Sequence, residues 1–168
     1  KSGNTDLLKK LGQEKNVKVV VIDSVKDESG EVISSTRVRK YIEDGNLSEA
    51  TKLLGHYPII AGEVVHGKKM ARQMGFPTAN LIFENKVYPP FGVYGVYVKI
   101  EGDNNIYNGV MNLGKNPTLK PGELSVEVHI LDFDKFIYGE KIIIYVLEKI
   151  SDEIKFNGTD QLVKKIGN

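Results

Sequence analysis

From residue 57 onward the chain keeps returning to one pattern: a short run of alternating or β-branched apolar residues, closed off by glycine, proline, asparagine or aspartate. Residues 59–66, 92–101, 106–113, 124–133 and 141–150 each read as a strand. A period of two gives each strand one apolar face, and several such strands joined by turns must either expose edges or close on themselves. "EGDNNI", between the second and third runs, is a hairpin connection, and "NPTLKPGE" is a longer turn-rich one. Gly92 and Gly95, inside "GVYGVYVKI", mark tight bends or close backbone approach. The closing "GTDQLVKKI" predicts a helix capped by Thr159, with Leu162, Val163 and Ile166 on its apolar face. Five or six antiparallel strands followed by one helix predict a small closed barrel.

The first 55 residues have a different texture. "VKVVVI", residues 17–22, is continuous and β-branched and reads as a strand buried on both faces. A short helix is expected over residues 7–11. "ISSTRVRKYIEDG" reads as a helix with Ser35 as N-cap, Val38, Tyr41 and Ile42 inward, and Gly45 as its stop. "NLSEATKLLG" reads as another, with Asn46 and Glu49 forming a capping box, Leu47, Ala50, Leu53 and Leu54 inward, and Gly55 ending it. One strand makes no sheet by itself, so this part reads as the tail of a larger α/β domain.

Composition narrows the function classes. A chain of 168 residues, 40% of them hydrophobic, supports one core or one core plus an appendage. A formal net charge of +1 gives no general attraction to nucleic acid or to an acidic membrane, so any anion site must be local. The absence of cysteine excludes disulfides and thiolate metal sites and suits a reducing, cytoplasmic setting. No secretory leader is expected, and the longest apolar runs, "VVVI" and "IIIYVL", fall far short of the roughly 20 residues that span a bilayer.

Three stretches could carry chemistry. In "HGKKMARQMGFPTAN", Gly67 and Gly75 frame Lys68, Lys69 and Arg72, a combination that lets backbone N–H groups and cations meet a phosphate. The glycine–Lys–Ser/Thr spacing of a Walker loop is absent. Pro77 restricts the backbone just before Thr78, and Thr78 and Asn80, two apart, share a face if the segment is extended. Their neutral oxygens would suit Mg²⁺, which keeps waters and takes further ligands from substrate phosphates. The same residues also spell a solvated basic loop before a turn, and on composition alone that reading leads. In "SVEVHILDF", Glu127 and His129 fall on one face; a carboxylate inside a barrel mouth could take a proton from a hydroxyl, or the pair could simply face water. "ISSTRVR" places hydroxyls at a helix N-terminus with Arg37 and Arg39 just inside, which is either an anion site or a cap with surface arginines.

Taken in order, "ISSTRVR", "LLGHYPIIAGEVVHG", "GFPTAN", "GVYGVYV", "YNGVMNLGKNPT", "VEVHILDF" and "YGE" closely resemble the bacterial bifunctional riboflavin kinase/FAD synthetases over nearly the whole chain. The resemblance implies a mainly β fold: a six-stranded antiparallel Greek-key barrel with a C-terminal helix over residues 56–168. Residues 1–55 would be a partial α/β nucleotidyltransferase segment, the remnant of an FMN adenylyltransferase domain normally fused ahead of the kinase. It implies an ATP-dependent kinase that converts riboflavin to FMN, with ADP as second product and Mg²⁺ as cofactor. It implies Glu127 as catalytic base and Thr78 and Asn80 as Mg²⁺–nucleotide ligands. The segment with Gly67, Lys68, Lys69, Arg72, Gly75 and Pro77 would cover the ATP phosphates, and His129, Phe133 and Tyr138 would border the nucleotide. Ser34, Ser35 and Thr36 with Arg39 match the phosphate-binding signature of the adenylyltransferase. The histidine-containing motif of that first domain is missing, so no FAD synthesis is expected of this chain. Two departures bear on flavin binding: Ser151 stands where the family usually has arginine, and the chain stops at Asn168, where the family usually continues through its terminal helix. A non-catalytic flavin- or nucleotide-binding fragment is the alternative. A nucleic-acid-binding barrel is disfavoured by the balanced charge and the lack of a basic aromatic face.

Overall fold

The structure, a computed structural model, describes residues 5–65, 78–83, 86–115 and 124–152. The chain divides into two compact units, Lys1–Ser34 and Ser35–Asn168. The expected C-terminal helix lies outside the described residues.

In the first unit, helix α1 (Thr5–Glu14) is followed by a bend at Asn16, whose φ is 53°, and the Val17 N–H closes back onto the Gly12 carbonyl at 2.7 Å. Gly12 is needed there, because a Cβ would lie 2.8 Å from the Val17 carbonyl oxygen. The strand expected over residues 17–22 is absent. Val20 is 67% exposed and Ile22 87%. β-branched composition favours extended backbone, but a strand exists only when a neighbour takes up its N–H and C=O groups. The one bridge described in this unit joins Lys26 to Val32, around a turn in which Asp27 Oδ1 accepts from the N–H groups of Ser29 and Glu31.

In the second unit, helices α2 (Ser35–Glu43) and α3 (Leu47–Leu54) precede the barrel. Ser35 is the first helical residue of α2 rather than its cap. Gly45, at φ +79°, and Gly55, at φ +73°, end the helices as expected, and the Gly55 N–H reaches the Thr51 carbonyl at 2.8 Å. The capping box does not form: the Asn46 side chain makes no cap hydrogen bond, and Glu49 turns instead to Lys52, its neighbour one helical turn on. Leu47 and Ala50 are buried, and Leu47 joins the barrel's core cluster.

Six strands follow: β1 (Ile59–Val65), β2 (Thr78–Phe83), β3 (Gly92–Ile100), β4 (Ile106–Lys115), β5 (Leu124–Ile130) and β6 (Lys141–Ser151). They close antiparallel in the order β1-β2-β5-β4-β3-β6, so no edge is left open. Alternation puts Ile60 and Val64, Val96 and Val98, Met111 and Leu113, Val126 and Val128, and Ile142 and Ile144 inside, all essentially inaccessible to solvent. Each such side chain contributes about 1.5–3 kcal/mol on burial. β2 had not been expected as a strand from the residues, yet "TANLIF" alternates correctly, with Ala79 and Leu81 inward.

Tyr94 is the largest fully buried side chain. Its hydroxyl donates to the Pro90 carbonyl, and burial, with Asp152 nearby, pushes its pKa up to about 12. Register shifts between Val93 and Tyr94 and between Gly95 and Val96 bend β3 against β6 where the glycines of "GVYGVYVKI" predict bends.

Candidate active site

The site is built on the outer face of β2, β5 and β4. Inward residues of these strands fill the core, so their alternates point the other way: Thr78 and Asn80 from β2, Glu127 and His129 from β5, Val110 and Asn112 from β4. Register then fixes the neighbours. Asn80 lies directly opposite Glu127, and Thr78 opposite His129. On its other side Glu127 faces Asn112, and His129 faces Val110. Directly opposed residues have Cβ atoms about 4.5–5.5 Å apart, so Asn80, Glu127 and Asn112 form a continuous polar row across three strands. Glu127 is thus on the outside of the sheet, the placement that plain alternation offers, and not inside a barrel mouth, the other placement open from the sequence. The reason is phase: with Val126 and Val128 claimed by the core, the residue between them must face outward.

Glu127 is itself substantially shielded, and burial raises its carboxyl above the ordinary carboxylate value. A carboxylate raised toward neutrality is a better proton acceptor when ionised than one fixed at the ordinary value.

Next to this row lies a cleft of about 410 Å³. Thr78, His129, Phe133 and Tyr138, named from separate stretches of sequence, all line it, together with Asp132, Lys135 and Phe136. Phe133 reaches it because β5 ends at Ile130 and not at residue 133: Asp132 adopts φ 52° and turns the chain off the sheet. Phe133 then meets Tyr107 edge-on at 5.0 Å, and the Tyr107 hydroxyl donates to Asp103 Oδ2 at 2.7 Å. The "EGDNNI" hairpin thereby supports one wall of the cleft. The far end of the loop is tied to β1 by the Gly139 N–H to the Val64 carbonyl at 2.8 Å and the Val64 N–H to the Glu140 carbonyl at 2.9 Å.

Oxygen donors from Thr78 and Asn80 on one strand face, beside the Glu127 carboxylate, fit a hard divalent cation. Among the described residues no group of three His, Cys, Asp or Glu is placed to hold a metal. An ion here would have to complete its shell with water and phosphate oxygens, which is how Mg²⁺ is usually held.

Not every expected residue falls in this place. Gly67, Lys68, Lys69, Arg72, Gly75 and Pro77 lie outside the described residues. Asn80, Glu127 and Asn112 adjoin the cleft through the Thr78–His129 pair but do not line it, whereas Thr36, Arg37 and Arg39 are on α2 and neither line it nor share this sheet face. Ser151 ends β6 opposite Val93, its hydroxyl donating to the Asp152 carbonyl at 3.2 Å. Asn112 was missed, although the alternation of its strand already put it on the polar face.

A family model described as "Flavokinase: Riboflavin kinase" matches residues 54–168. The bifunctional riboflavin kinase/FMN adenylyltransferase of Listeria monocytogenes serovar 1/2a is 39% identical over 150 residues, covering 88% of this chain and 47% of that protein. The enzyme of the same description from Escherichia coli K12 is 39% identical over 166 residues, covering 99% of this chain and 52% of that protein. The chain therefore spans about half the length of the curated relatives it matches. A crystal structure from Streptococcus pneumoniae, described as a macrolide-efflux protein, matches with a TM-score of 0.76 at 42% identity, covering 94% of this chain and 51% of that one.

Proposed function

The chain belongs to the riboflavin kinase family, and on that premise we propose that it transfers the γ-phosphoryl group of ATP to the ribityl 5′-hydroxyl of riboflavin, releasing FMN and ADP. The observation that carries the reading is the register of β2 on β5, which sets the Asn80 and Glu127 side chains opposite each other beside the cleft lined by Thr78 and His129. Phosphoryl transfer asks a protein chiefly for positioning and charge neutralisation, with a base to receive the hydroxyl proton.

In the proposed step the 5′-oxygen forms a bond to the γ-phosphorus while the bond from that phosphorus to the β,γ-bridging oxygen breaks. Glu127 accepts the 5′-hydroxyl proton as the new bond forms. The Thr78 hydroxyl and the Asn80 amide oxygen would hold Mg²⁺, which when bound neutralises charge on the nucleotide phosphates. His129, Phe133 and Tyr138 would border the nucleotide.

We assign only this step to the chain. The second activity in the names of its relatives, adenylylation of FMN, is not assigned to it, and residues 1–55 are read as the end of an adenylyltransferase domain. A cytoplasmic location is part of the same proposal. No described helix is long and apolar enough to cross a membrane. The efflux description of the Streptococcus protein is not carried over: the barrel packs its interior with apolar side chains and shows Glu63, Lys99 and Lys141 outside, whereas a lipid-facing barrel is polar within and carries an uncharged apolar band outside.

Incubation with riboflavin and Mg-ATP, followed by chromatography, tests the reading. FMN should accumulate in step with ADP. Flavin binding, seen as fluorescence quenching, without FMN would instead identify a non-catalytic flavin-binding module.

A further inference from the structure

Asn112 sits beside the proposed base with an unmet hydrogen-bonding need. It faces Glu127 across β4 and β5 and Val93 across β3 and β4. Its Oδ1 is buried and has no hydrogen-bond partner. Among the described residues it is the single buried side-chain atom left in that condition. Such an orphan is costly in the free protein, and a partner of the right shape recovers that cost on binding. The neighbours already present do not serve: Val93 offers no polar side chain, and an ionised Glu127 only accepts.

We infer that Asn112 receives a hydroxyl of the substrate's polyol chain, next to the hydroxyl that Glu127 deprotonates, and so selects flavins that carry that chain. The inference rests on the kinase reading. A hydroxyl can both donate and accept, so it satisfies the Asn112 amide in either orientation. A polyol also carries successive hydroxyls at a spacing that lets one meet Glu127 and another meet Asn112, which are cross-strand neighbours. The expected result is discrimination: a site built around a buried polar group penalises a ligand that leaves that group unpaired. Asn112 is on this account a specificity residue, not a participant in bond making.

The test compares riboflavin with a flavin bearing only a methyl group at the same ring nitrogen, with binding read by fluorescence quenching on the full chain. Asn112→Leu, similar in size but unable to hydrogen-bond, should weaken riboflavin roughly tenfold or more and leave the methyl flavin unchanged. Its KM for riboflavin should rise while that for ATP stays the same. Asn112→Asp retains an acceptor, so riboflavin binding should stay within about threefold of the parent. Equal weakening of both flavins by Asn112→Leu, or no weakening of either, overturns the inference. So does loss of riboflavin selectivity in Asn112→Asp. Failure of the unaltered chain to form FMN strikes the kinase reading, whereas these variant outcomes strike only the role of Asn112.

Discussion

Asn80 and Glu127 are direct cross-strand partners on the outer face of the barrel, one on β2 and the other on β5. A neutral oxygen donor suited to a cation and a carboxylate suited to a proton are thereby held side by side by backbone pairing, with no flexible loop between them. Pairing of this kind keeps both groups in place before any substrate arrives, which is what positioning catalysis requires.

If Glu127 is the base, Glu127→Gln should reduce turnover by about 10²-fold or more, with little change in flavin or nucleotide affinity. Steady-state kinetics with both substrates saturating would show it. Turnover within a few-fold of the parent would remove Glu127 from that role.

Burial raises the Glu127 carboxyl above its ordinary value of 4.5. Activity should therefore rise with pH along a limb centred above the ordinary carboxylate range, because the base works only when ionised. The sign for stability is opposite. A raised native value means that stability contributed by this group is fully present below the ordinary value and is lost as pH rises through the raised one. Glu127→Gln should accordingly melt no lower than the parent at pH 7, and the two melting curves should converge in acid below about 4.5. A clear drop in Tm at pH 7 would show that the carboxylate is instead held by favourable partners.

Thr78→Ala removes one proposed cation ligand while leaving the β2 backbone pairing intact. The Mg²⁺ concentration needed for half-maximal turnover should rise several-fold, with riboflavin KM unaffected. Titration of Mg²⁺ at fixed ATP measures this, and an unchanged requirement would exclude Thr78 from the ion's surroundings.

Gly62 lies where β1 meets β2, and a Cβ there would overlap the Ile82 carbonyl oxygen, a backbone atom that cannot swing aside. Gly62→Ala should destabilise the barrel by about 1–3 kcal/mol, the usual range for overpacking. Because β2 carries Thr78 and Asn80, the same change should weaken Mg²⁺-dependent turnover by more than the loss of folded protein explains. Denaturant melts paired with Mg²⁺ titrations would separate the two effects.

Ile22, 87% exposed on the first unit, makes little contribution to a core. Ile22→Lys should leave stability within about 0.5 kcal/mol of the parent and reduce self-association at high concentration. Chemical denaturation and light scattering would check both halves, and a large loss of stability would show that the side chain is covered in solution.

Much of this was legible in the residues because alternation and turn chemistry are local. The strands from 92 onward, the two-residue periodicity of "SVEVHIL", and Gly45 and Gly55 as helix stops all follow from short-range sterics. Three errors share a different cause. "VKVVVI" has strand composition and no pairing partner among the described residues, "TANLIF" had no strand assignment and found neighbours on both sides, and Asn46 lost its capping partner to Lys52. In each case the outcome depended on which groups lay nearby in space, which local pattern does not specify.

The sequence by itself determined that Glu127 shares a face with His129 and that Asn112 is on the polar side of its strand, and that Thr78 shares one with Asn80 provided their segment is extended, because a strand's period of two admits no other arrangement. Only the tertiary structure decided that these faces are the outer ones, that β2 and β5 are adjacent, and that Asn80, Glu127 and Asn112 stand in one row. Barrel closure chose those neighbours, since the strand order follows from burying every apolar face and pairing every edge at once.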